Sequence, residues 1–230
     1  MTPLRLALLR ADDHHHRYLE SLLSARFDLA LVVTEPDREK LAALRRRGQY
    51  REWAHHHYHR YLRVLTGENR YRRRYFAHDP RLWAAPGPRR IEVRSVNDDV
   101  VVDALSAVAV DVVVSIGCSY LSEDTLAAAG PLVINIHRGF LGDGCDGRLG
   151  RVGSIIHRVA PGADTGELVE VVRPPTDGNE AREHLRCRAD LLAIHRLAGW
   201  LDILERGGEL PSYPHTHSHD QGVPHVVRTT

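Results

Sequence analysis

Asn135 and His137 stand two residues apart at the end of a short apolar run, residues 132–136. Side chains two apart on an extended segment leave it on the same face. An amide and an imidazole presented together at a strand end can polarise a carbonyl. The amide N–H donates to the oxygen, and a protonated ring stabilises the charge that builds there. A second apolar run, residues 110–116, lies just upstream. Both runs are rich in β-branched residues and too short for ordinary helices, so they read as strands buried on both faces. Between them come a polar loop, Gly117 to Ser122, and a short helix over Glu123–Ala129 that Gly130-Pro131 ends.

A third chemical group follows at a suggestive distance. Asp164 sits in the turn Pro161-Gly162-Ala163-Asp164-Thr165-Gly166, 27 residues past His137. One strand and a loop fit that interval, enough to bring the carboxylate back to the Asn135–His137 strand. An aspartate beside an imidazolium can hold it, raise its pKa and relay a proton. Other reactive residues have weaker company. Cys118 and Cys145 are candidate nucleophiles without an evident partner, and the three cysteines form no CxxC pair. His55 and His59 have metal-ligand spacing on a helix but no Glu or Cys beside them. His215, His217 and His219 alternate in the tail as a chelating tract would. His14-His15-His16 opens a helix, where positive charge is unfavourable, so those rings are expected to be neutral. One of them can point into a cleft at the end of the first strand.

These residues need a scaffold, and the chain supplies one. An apolar run at residues 4–9, a helix over His14–Arg26 with Tyr18, Leu19, Leu22 and Leu23 inward, and a strand at 29–33 make a right-handed parallel β-α-β unit. Its first turn carries Asp12 and Asp13 and no glycine, which argues against NAD or FAD. A strand at 91–93, a helix capped near Asn97-Asp98-Asp99 and running to Val108, strands at 154–159 and 167–172, and a long helix over 179–206 complete the pattern. The expected fold is α/β, a mainly parallel Rossmann-like sheet with a helical insertion and a C-terminal hairpin plus long helix. Residues 1–206 form the body, 36–76 the insertion, and 207–230 an extended histidine-rich tail.

The insertion has its own character. Arg45-Arg46-Arg47 and Arg70 to Arg74 alternate with Tyr50, Trp53, Tyr58, Tyr61, Tyr71 and Tyr75. Trp53, His57 and Tyr61 recur at helical spacing, so at least one amphipathic helix is expected. Basic and aromatic residues together can suit nucleic acid. The ordinary expectation for such a helix is that its aromatics pack and its arginines are solvated. Over the whole chain, 31 basic and 30 acidic residues give a net charge of +1. That balance makes no general electrostatic case for nucleic acid or membrane partners. No apolar stretch approaches the roughly 18 residues of a spanning helix. Few, scattered cysteines fit a reducing cytoplasm.

Asn-x-His followed by an Asp-Thr-Gly turn resembles the formyltransferase family, which includes methionyl-tRNA, glycinamide ribonucleotide and sugar N-formyltransferases and formyltetrahydrofolate deformylase. The resemblance runs from the first strand to about Val172 and is carried by VVVSIGCSYLSEDTL, GPLVINIHRG and SIIHRVAPGADTGELV. It implies an enzyme that moves the formyl group of 10-formyltetrahydrofolate to a small-molecule amine, with Asn135, His137 and Asp164 as the catalytic set. It further implies that the folate lies against the Ser115–Tyr120 loop and the turn after the next strand, at Ser115, Gly117, Ser119, Tyr120, Val159 and Gly162. The glycine-rich run after His137 departs from the family, which places a longer segment there. That shortening leaves open a hydrolase on the same scaffold, or a non-catalytic metal- or ligand-binding protein using its histidines. A homodimer is the assembly to test for.

Overall fold

The computed structural model describes residues 3–77, 87–138, 152–161 and 166–213. The elements run β1 (Arg5–Arg10), α1 (His14–Arg26), β2 (Asp28–Thr34), α2 (Asp37–Arg46), α3 (Tyr50–Leu65), α4 (Glu68–Tyr75), β3 (Arg89–Glu92) and α5 (Asp99–Val108). There follow β4 (Val112–Ile116), α6 (Glu123–Ala129), β5 (Val133–Arg138), β6 (Ser154–Arg158), β7 (Leu168–Val172) and α7 (Arg182–Glu205). The strands form one sheet in the order β3-β2-β1-β4-β5-β6-β7. Pairing is parallel from β3 through β5 and antiparallel for β5–β6 and β6–β7. The expected parallel α/β sheet with a terminal hairpin is therefore what forms. The strand order reverses between β1 and β4, the place where open α/β sheets collect ligands.

Alternation along the strands assigns the two faces. Leu6, Leu8, Val112, Val114, Ile134, Ile136 and Ile156 face α1 and α7, where Leu19, Leu23, Ile194, Leu197 and Leu201 cover them. Ala7, Leu9, Val113 and Val133 face α5 and α6, which contribute Val101, Leu105, Leu126 and Ala129. Tyr18 and Leu22 of α1 pack at the rim of the first cluster, as their spacing predicts. Helix ends follow local chemistry: the Asp13 carboxylate caps α1 by accepting from the His14 N–H at 2.6 Å, and the Ser122 hydroxyl accepts from Thr125 N–H at 3.2 Å.

The insertion folds as three helices, α2 to α4, and corrects one expectation. The tyrosines of α3 do not pack inward: no residue of α3 is buried, Tyr58 and Tyr61 are about 60% exposed, and Trp53 is half-buried. Helical spacing makes a stripe but does not say whether the stripe faces protein or solvent. The buried anchor of the insertion is on α4. Arg72 is buried, with Nη1 2.9 Å from Glu183 and Nη2 3.2 Å from Asp190 on α7, and Nη2 also 2.8 Å from His15 Nδ1 on α1. Phe76 is buried beside it, its ring 5.9 Å from those of both His15 and Tyr18.

Candidate functional site

The site grows from strand register. Ser115 on β4 lies opposite Asn135 on β5, which lies opposite His157 on β6. All three side chains leave the sheet on the α5–α6 face, the face of Val113 and Val133. They are joined in a row: Ser115 Oγ donates to Asn135 Oδ1 at 3.0 Å, Asn135 Nδ2 is 3.0 Å from His157 Nε2, and His157 Nδ1 is 2.9 Å from the Arg158 carbonyl. A carbonyl only accepts, so Nδ1 carries the proton and Nε2 of a neutral ring accepts from Asn135. The amide stands with its oxygen toward Ser115 and its nitrogen toward His157. Ser115 and His157 are buried, whereas Asn135 is half-buried and within reach of a ligand. The amide uses one N–H on His157, which leaves the second for another acceptor.

His137, two residues on and half-buried, shares this face and pairs with Ile155 one residue before the strand ends. The described flanks of the turn that carries the aspartate lie toward the other end of β5. Val159 N–H bonds the Val133 carbonyl at 2.8 Å, and Arg158 N–H bonds the Glu167 carbonyl at 2.8 Å. Gly166, at φ +125°, is required there: a Cβ would come within 2.1 Å of the Arg158 carbonyl oxygen. Asp164 and Gly162 lie outside the described residues, as do Cys145 and the tail histidines His215, His217 and His219.

The loop after β4 is held from an unexpected side. Glu35, directly after β2, is buried, and its carboxylate accepts from Ser119 N–H at 2.7 Å and Ser119 Oγ at 2.9 Å. Lys40 on α2 lies 3.9 Å from Glu35 and donates to the Gly117 carbonyl. Gly117 adopts φ +67°, and a Cβ there would fall 2.4 Å from His16 Cε1. His16 is therefore the member of the histidine trio that packs on the loop at the strand-order reversal. Tyr120 is exposed, and its carbonyl accepts from Asn97 Nδ2 at 2.8 Å. Ser115 is part of β4 rather than of this loop, and its hydroxyl serves Asn135.

Electrostatics narrow the roles. Burial pushes the Cys118 thiol up to about 11, so it is no nucleophile near neutral pH. Burial also lowers the pKa of His14, in keeping with the expected neutral ring at the head of α1. Burial by itself would raise Asp13, but its neighbours, the Arg72 guanidinium among them, hold it well below the ordinary carboxylate range. Among the described residues no group of three or more His, Cys, Asp or Glu side chains is arranged to hold a metal ion. The rings of His55 and His59 lie 4.3 Å apart without a third ligand. Of the residues above, His157, Glu35, Lys40 and Arg72 were not singled out by sequence. His157 alone left a trace, as a polar residue inside an apolar strand.

No family model matches the chain, and no curated protein matches it. Solved structures do. A phosphoribosylglycinamide formyltransferase from Anaplasma phagocytophilum superposes with a TM-score of 0.56 at 15% identity, over 89% of this chain and 87% of that one. Glycinamide ribonucleotide transformylase 1 from Symbiobacterium toebii gives 0.53 at 17% identity, over 89% and 88%. A sugar N-formyltransferase from a Shewanella species gives 0.53 at 11% identity, over 95% and 75%. The chain therefore shares the fold of these formyltransferases.

Proposed function

We propose that the protein is a formyltransferase that moves the formyl group of 10-formyltetrahydrofolate to the nitrogen of a small-molecule amine. The observation that carries this reading is the fixed amide of Asn135, aimed by Ser115 and His157 and half-exposed beside His137. Attack of an amine on a formyl carbon places negative charge on the formyl oxygen and positive charge on the nitrogen. The second N–H of Asn135 donates to that oxygen, and a protonated His137 stabilises it. Asp164 then serves as the group that holds the imidazolium and takes the proton leaving the amine. A donor amide already oriented needs no reorganisation when the charge develops, which is the source of its catalytic value.

The donor is read as lying along Gly117, Ser119 and Tyr120 and the turn from Val159 to Gly162. The Glu35 carboxylate and the Lys40 ammonium support this by pinning the first of those segments through backbone groups. A cytoplasmic setting is part of this reading, on the ground that the three cysteines are few and scattered in the sequence. No described helix is long and apolar enough to cross a membrane. The test is direct: purified protein is incubated with 10-formyltetrahydrofolate and a panel of amino sugars, amino acids and ribosylamines, and tetrahydrofolate release is followed. Amine-dependent release that Asn135→Ala abolishes supports transfer. Release that needs no amine assigns a hydrolase instead, and no release with any amine, together with no binding of a stable folate analogue, rejects the proposal.

A further inference from the structure

The chain's net charge of +1 hides a separation. Residues 36–76 hold 12 Lys and Arg against 4 Asp and Glu, a net of +8, so the rest of the chain holds 19 against 26, a net of −7. The exposed surface of the insertion keeps much of that charge. Arg45 to Arg47 at the end of α2 and Arg70, Arg73 and Arg74 on α4 are exposed and form no ion pair with a described residue. The same holds for Arg51 and Arg60 on α3.

Between these arginines in the sequence runs an apolar stripe. Tyr50, Ala54, Tyr58, Tyr61 and Leu65 recur at i, i+4, i+8, i+11 and i+15, one face of a helix about 24 Å long. Tyr50, Tyr58, Tyr61, Val64 and Leu65 are between 59% and 64% exposed. The half-buried residues of α3 are Trp53, Leu62 and Arg63, and Arg63 lies 3.7 Å from Asp13. Arg51 and Arg60 flank the stripe on its two sides by helical position. A stripe of this extent without a partner among the described residues marks an interaction surface.

We propose that the α2–α4 insertion docks on anionic lipid surfaces. The α3 stripe enters the headgroup region, where tyrosine is favoured, and the surrounding arginines pair with lipid phosphates. Two features favour a lipid surface over single-stranded nucleic acid. Ala54, Val64 and Leu65 in the stripe have no face on which a base can stack, and one convex helix offers no groove to follow a strand. A second copy docking through the same face is disfavoured because it would bring two arginine-rich surfaces together.

Full-length protein is sedimented with vesicles of phosphatidylcholine alone, and with vesicles of phosphatidylcholine and phosphatidylglycerol in equal parts. At low ionic strength the expected partition into the mixed vesicles is at least about tenfold higher. The combined variant Tyr58→Ser, Tyr61→Ser, Leu65→Ser lowers that partition at least about tenfold with an unchanged melting temperature, since all three side chains are exposed. Arg45→Ser, Arg46→Ser, Arg47→Ser lowers it independently. No binding to the mixed vesicles, or equal binding by the tyrosine variant, overturns the proposal. Preferential binding of a single-stranded oligoribonucleotide, or a dimer lost in the same tyrosine variant, overturns it in favour of nucleic acid or self-association. None of these readouts depends on formyl transfer.

Discussion

The β4–β5–β6 patch and the α2–α4 insertion are both rich in polar and aromatic residues, yet they are built in opposite ways. In the patch every polar atom of Ser115, Asn135 and His157 that takes part is committed to a neighbour at 2.9 to 3.0 Å. In the insertion α3 buries nothing and packs on α2 and α4; the layer's buried anchors are Arg72 and Phe76 of α4, with Lys40 of α2 and Arg63 of α3 making polar contacts to the body. The difference shows where precision resides. A sheet register fixes three side chains from three strands at once, whereas an added helix layer is held by one buried anchor and a few half-exposed polar contacts. Reaction chemistry needs the first arrangement. A surface that meets a soft or variable partner tolerates the second.

The largest effect expected is on that anchor. Arg72→Met leaves Glu183 and Asp190 buried around an apolar side chain, which costs about 3–5 kcal/mol. Urea unfolding reads this, and a loss under 1 kcal/mol would mean that the insertion is held elsewhere. On the other side of the comparison, Asn135→Ala should lower kcat about 100- to 1000-fold, the effect of removing one preorganised donor. Steady-state tetrahydrofolate release measures it. His157→Ala tests positioning rather than direct contact: kcat should fall about tenfold with KM little changed, because the Asn135 amide loses its aim while the donor site is untouched. Equal changes in kcat and KM would instead place His157 against the substrate. The smallest effect belongs to α3, where Tyr61→Ser should shift stability by less than about 0.5 kcal/mol. A larger loss would show that the stripe is packed and would erase the contrast between the two regions.

These contrasts also explain what the sequence could say. Strand alternation is a period of two, so Asn135 and His137 could be placed on one face before any strand partner was known. The helix over His14–Arg26 was legible end to end, because Asp13 is a capping residue and Leu19 and Leu23 mark its inner face. The antiparallel pairing that sets His157 against Asn135 was not legible. It depends on the register of β6, which nothing local in residues 154–158 specifies. Glu35 reaches Ser119 across 84 residues, and Arg72 reaches Glu183 and Asp190 across 111 and 118, so neither pairing had a spacing to betray it. For α3 the periodicity was visible and its direction was not. The expectation that its aromatics pack came from how most amphipathic helices behave, and here the apolar side faces out.

The central claim is that Asn135 is an oxyanion donor held ready by Ser115 and His157. The most direct measurement is a crystal structure of the protein soaked with a stable 10-formyltetrahydrofolate analogue. The expected result places the formyl oxygen about 2.7–3.1 Å from Asn135 Nδ2, with the Ser115 and His157 contacts intact and His137 beside the formyl carbon. An analogue bound with its formyl group away from Asn135, or one that turns the amide off His157 to bind, would contradict the account.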